Sequence, residues 1–215
     1  MMDEFESEDQ QIEAIKKWWK ENGASLLLGL GIGVAALLGW REYLAYQTER
    51  SAEASDLFQA VQTQVATDRL DDTHMNKADL IRNEYSDTPY GALVSLVQAK
   101  HEYENGNAES AQSHLRWAID NATEIDIQHV ASLRLARVLI AEKKYDEAEA
   151  ILLSDHPAGF NVGYEELKGD LYVAKGEIAQ ARVAYDKAIN AAAGSASRWL
   201  RLKRQDLGSD DLENS

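Results

Sequence analysis

The chain has 215 residues, enough for one domain and an appendage. It carries 37 acidic against 22 basic side chains, a formal net charge of −15, and such a field repels phosphate backbones and argues against a nucleic-acid partner. There is no cysteine, which excludes disulfides, thiolate metal sites and cysteine nucleophiles, while 45% hydrophobic residues are enough to bury a core.

Residues 1–22 read as an acidic, cytoplasmic tail with an interfacial segment, and residues 23–40 as a transmembrane helix. The latter run, GASLLLGLGIGVAALLGW, has no charge and spans about 27 Å as helix, against a hydrocarbon core of roughly 30 Å. Trp18, Trp19 and Trp40 mark its edges, where indoles favour the interface, and Lys16, Lys17, Lys20 and Arg41 bracket it. A cleavable signal peptide would have a shorter apolar stretch and a small-x-small cleavage site, whereas here the run ends in Gly39-Trp40-Arg41-Glu42. Five glycines weaken the alternative of a buried helix in a soluble protein. The Gly29-Leu30-Gly31-Ile32-Gly33 stretch lacks the preceding strand that a dinucleotide-binding loop requires. Three lysines before the span and two arginines in the twenty residues after it place the N-terminus in the cytoplasm and the remainder across the membrane. Gly29 with Gly33, and Ala35 with Gly39, form small-xxx-small pairs that permit close approach of another membrane helix.

Residues 41–76 read as a helical continuation followed by a linker. Leu57, Phe58, Val61 and Val65 make one apolar face, and the polar stretch 67–76 interrupts it. A short helix over 77–85 opens a repeat domain that extends to residue 207. Aligning Ala111, Ala148 and Ala181, which lie 37 and 33 residues apart, reveals three related units. Gly169, Tyr172, Gly176, Tyr185 and Ala188 keep fixed offsets from Ala181. The first unit supplies Ala99, Gly106, Leu115 and Ala118 in the same frame. The second supplies Ala136, Leu139, Tyr145 and Leu152, without the turn glycine or the last alanine. This looks like the tetratricopeptide repeat, a helix–turn–helix unit of about 34 residues. The expected fold is therefore all-α: one transmembrane helix, then a tetratricopeptide-like solenoid whose stacking supplies the core. Arg198–Leu207 caps the last unit through Trp199 and Leu202, and residues 208–215 are expected to be a disordered tail.

Nothing in the sequence assembles a catalytic centre. The five histidines lack the paired spacing of zinc hydrolases, no Gly-x-Ser-x-Gly elbow occurs and no loop has the calcium-binding spacing. The chain is read as a non-enzyme that needs no cofactor or metal and takes no small-molecule substrate. Its default binding surface is the concave face made by the first helix of each pair. That face is predicted to present Leu96, Lys100 and Tyr103, then Leu133, Arg137 and Ile140, then Glu166, Asp170 and Val173. It lacks the asparagines that help some such proteins clamp a terminal carboxylate. It suits an amphipathic or extended segment, although several of the apolar residues would equally serve as packing inside the stack.

The acidic N-terminus, the QIEAIKKWWKENG stretch, the glycine-rich span ending in GWREY and the three repeats resemble the YfgM family over the whole chain. That resemblance implies a single-pass protein of the Gram-negative inner membrane with a periplasmic tetratricopeptide-like domain. It further implies an ancillary role at the SecYEG translocon beside the periplasmic chaperone PpiD, helping to pass newly exported proteins to periplasmic chaperones. A membrane-anchored regulator that sequesters a signalling protein is the competing reading, and a scaffold for cell-envelope enzymes a third.

Overall fold

The computed structural model describes residues 3–66 and 72–208 of the chain. The last part of the expected tail, residues 209–215, and half of the expected linker, residues 67–71, lie outside them, as do the side chains of Val65 and of the acidic stretch 3–10. The described residues are helical apart from turns, in the order α1 (Asp3–Ala66), α2 (Asp72–Glu84), α3 (Pro89–Glu104), α4 (Ala108–Asn121), α5 (Ile125–Ala141), α6 (Tyr145–Leu152), a 3-10 turn (Ala158–Phe160), α7 (Asn161–Lys175), α8 (Ile178–Ala191) and α9 (Arg198–Asp206). They form two compact units, Met1–Arg50 and Ser51–Ser215.

In the first unit α1 stands with its apolar side chains uncovered. Leu28, Leu30, Ile32 and Leu37 are each more than 60% exposed, a surface untenable in water and suited to lipid. α1 is the one described helix long and apolar enough to cross a membrane. The indole of Trp19 folds over Gly23, within 3.2 Å of where a Cβ would lie, and Trp40 sits beside Tyr43.

The second unit begins earlier than the sequence pattern indicates. The last turns of α1 bury Val61 against Ala78 and Ile81 of α2 and Val94 of α3, with Leu57 and Phe58 packed around them. The Tyr85 hydroxyl donates to the Glu53 carboxylate at 3.2 Å across the same junction. α2 also starts at Asp72, five residues ahead of expectation, so half of the polar stretch is helix. In the described half, Thr73 and Asn76 are exposed positions of a helix.

Three helix pairs follow, α3–α4, α5–α6 and α7–α8, and they repeat one another down to the backbone. Each first helix ends in the same cap. The N–H groups of Gly106, Lys143 and Gly176 bond the carbonyls of Tyr103, Ile140 and Val173, and those of Asn107, Lys144 and Glu177 bond Glu102, Leu139 and Tyr172 at 2.8 Å. This is the Schellman arrangement, which needs a left-handed residue. Gly106 and Gly176 supply it at φ of 84° and 79°, and the middle unit forces Lys143 to φ 60° instead.

Small residues set the helix crossings. Ala99, Ala136, Ala111, Ala148 and Ala181 are buried, and a Cβ on Gly169 would run into the ring of Tyr185. Leu115, Leu152 and Tyr185 fill the space beside them. The middle unit departs most from the pattern, because α6 stops at Leu152 and the position matching Ala118 and Ala188 falls beyond it. The vacated space is closed by aromatic rings. His156 stacks on the buried Tyr164 with centroids 3.9 Å apart, and His129 meets the Tyr164 hydroxyl at 2.8 Å and the Phe160 ring at 5.0 Å.

Candidate protein-binding groove

The face formed by α3 and α5 holds a groove with a cavity of about 320 Å³. Its apolar side comes from Leu96 and Ala99 of α3, Leu115 of α4, and Val138 and Ala141 of α5; its polar side comes from Lys100, Tyr103, Arg134 and Arg137. Helical periodicity explains the grouping. Leu96, Lys100 and Tyr103 recur at four and three residues along α3, and Arg137 and Val138 stand three and four residues after Arg134 along α5.

Four of the sequence-predicted residues therefore meet in one place: Leu96 as buried floor, Tyr103 at 43% exposure, and Lys100 and Arg137 exposed. Leu133 and Ile140 are half-buried against the core, and Leu133 reaches to 3.0 Å from the Cβ position of Gly163 on α7. Asp170 lies in another constellation. Its carboxylate accepts from Lys203 Nζ at 2.8 Å and from the Tyr185 hydroxyl at 2.7 Å, and Lys203 also donates to Glu166 at 2.8 Å. The acids of the third unit thus hold α9 in place. Burial, then the Asp170 hydrogen bond, raise the Tyr185 pKa; burial lowers that of Lys203, but hydrogen bonds to Asp170 and Glu166 outweigh it and the net shift is upward. Val173, at 39% exposure, is not part of the groove lining.

Arg134 is the residue that sequence reasoning missed. It stands three positions before Arg137, a spacing that puts both on one helix face, and that was the available signal. Partial desolvation beside the groove wall, then the neighbouring Arg137 guanidinium, lower its pKa, although the side chain stays solvent-exposed and keeps its charge throughout. Lys100 makes one exposed ion pair, with Glu104 at 3.6 Å, a contact of marginal energy.

On the other unit, Gly29, Gly33 and Gly39 have no atom within 4 Å of their Cβ positions, and Ala35 is exposed. Gly29 with Gly33 make one open strip and Ala35 with Gly39 another, and nothing packs on either among the described residues. Among those residues no group of three or more histidine or carboxylate side chains is set to hold a metal ion.

Comparison with known proteins covers both units together. The tetratricopeptide repeat-like domain family matches residues 16–209, from ahead of the apolar span to past α9. A protein of Escherichia coli K12 named ancillary SecYEG translocon subunit is 30% identical over 207 residues, 96% of this chain and 99% of that relative. Proteins of the same name from Haemophilus influenzae and Neisseria gonorrhoeae are 27% and 28% identical, covering 93% and 85% of this chain and 97% and 87% of theirs. No solved structure matches. With an apolar N-terminal helix, a stack of tetratricopeptide-like pairs and relatives aligned over nearly its full length, the chain belongs to the YfgM family of tetratricopeptide repeat-like proteins.

Proposed function

We propose that this protein is an inner-membrane adaptor that works beside the protein-translocation channel. In this reading α1 crosses the membrane with the N-terminus in the cytoplasm and the helix pairs lie in the periplasm. The open strip at Gly29 and Gly33 packs on a helix of the channel. The concave groove holds a segment of a periplasmic chaperone such as PpiD, or of a chain emerging from the channel. Newly exported chains then meet the chaperone while both are tethered, and tethering turns encounter into a near-intramolecular event.

One observation carries the reading: the family match runs through the apolar helix and the repeats as a single stretch, in relatives named for the translocon. The test is purification of the full-length chain from membranes in mild detergent, with antibodies against channel and chaperone subunits. Recovery of both is expected, and recovery of neither would overturn the reading.

A further inference from the structure

The groove between α3 and α5 is a cationic spot on a strongly acidic protein. Several basic side chains elsewhere in the stack are taken up by carboxylates of a neighbouring helix: Arg116 by Glu147 at 2.7 Å, Lys175 by Glu149 at 3.0 Å, Lys203 by Glu166 at 2.8 Å and Arg204 by Asp186 at 2.9 Å. Arg134 and Arg137 have no carboxylate partner among the described residues, and Lys100 has only its surface pair with Glu104. In a chain of net charge −15, the groove gathers three basic side chains, Lys100, Arg134 and Arg137, and no acidic one in its lining. They repel one another, and that repulsion is relieved when a carboxylate arrives between them.

The rest of the lining says what accompanies the carboxylate. Leu96, Ala99, Leu115 and Val138 form an apolar floor, and about 320 Å³ accommodates one or two apolar side chains. Tyr103 adds a partly exposed ring, the type of side chain enriched where binding energy concentrates. We propose that this groove takes a partner segment with an apolar anchor flanked by aspartate or glutamate. The proposal rests on the groove being the protein-binding surface argued above, and it adds the chemistry that the groove selects. Planar guanidinium forks match carboxylates in two-point contacts, and they supply specificity and encounter rate while burial of the anchor supplies residence. Because the face lacks the asparagines of the terminal-carboxylate clamp, the acids recognised are side chains and not a chain end.

The experiment uses the full-length chain in lipid nanodiscs and fluorescence anisotropy of three end-blocked peptides. The first is Asp-Asp-Leu-Phe-Asp-Asp; the others replace every Asp with Asn or with Lys. The acidic peptide is expected to bind about tenfold more tightly than the Asn peptide, with the Lys peptide weakest, and its advantage to shrink several-fold as salt rises from ~50 to ~300 mM. Arg134→Glu with Arg137→Glu removes the preference while the thermal melt stays unchanged, since both side chains are exposed. Arg134→Lys with Arg137→Lys keeps part of it. If acidic and Asn peptides bind alike and Tyr103→Ala weakens both, the groove is a binding surface but the proposed selectivity is wrong. Persistence of the acidic preference in the double glutamate variant also overturns it. If none of the three peptides binds, the groove reading falls together with the proposal.

Discussion

Lys143 occupies the turn that glycine occupies in the two flanking units, at φ 60° with the same pair of cap hydrogen bonds. The left-handed conformation costs a residue with a Cβ about 1 kcal/mol or more. Lys143→Gly is therefore expected to stabilise the repeat domain by about 1 kcal/mol, read as a raised denaturation midpoint with an unchanged slope. Two histidines, His114 and His129, have lowered pKa values. Burial first, then nearby His156, lower the His129 pKa from its ordinary 6.5, with Asp126 opposing; burial and Arg82 lower that of His114. A depressed histidine binds fewer protons folded than unfolded, so stability is fully present above about pH 6.5 and declines as pH falls below it. Denaturation midpoints measured at neutral and at mildly acidic pH should show that decline, and His129→Gln should flatten it.

Among the elements, α9 carries the clearest division of labour. Ser197 caps it by accepting from the Leu200 amide at 3.1 Å, and Lys203 and Arg204 tie it to α7 and α8; Leu200 buries into the last unit in place of the expected Trp199, which is 66% exposed. The Lys203 side chain is 22% exposed, so its carboxylate partners are only partly screened. Lys203→Met is expected to cost about 2 kcal/mol by leaving Glu166 and Asp170 facing each other without a cation. Hydrogen exchange should report the loss first in α9 amides; uniform loss across all three pairs would show that α9 is not a separable cap. Most of this element level is legible from sequence. Glycine at 106 and 176, and alanine at 99, 111, 136, 148 and 181, announce turns and crossings because both are short-range demands on one residue's backbone or size. The early start of α2 and the joining of the end of α1 to it are not announced. They depend on Val61 meeting Ile81, a contact between segments separated by a polar stretch that resembles a linker.

For the whole molecule, the open strip on α1 and the groove on the repeats make separable predictions. Gly29→Leu with Gly33→Leu is expected to reduce co-purification with the channel by about tenfold while leaving peptide binding at the groove intact. Equal loss of both would mean that the substitution disturbs insertion of the helix rather than its packing. The sequence by itself determined the long apolar helix and the repeat frame. Hydropathy, helical period and positive-φ turns are properties of residues close together in the chain. Only the tertiary structure decided which charges on the repeats remain available. Asp170 is consumed by Lys203, thirty-three residues further along, while Arg134 and Arg137 are left without a carboxylate. Ion pairing between helices depends on where distant side chains come to rest, and no local pattern records it.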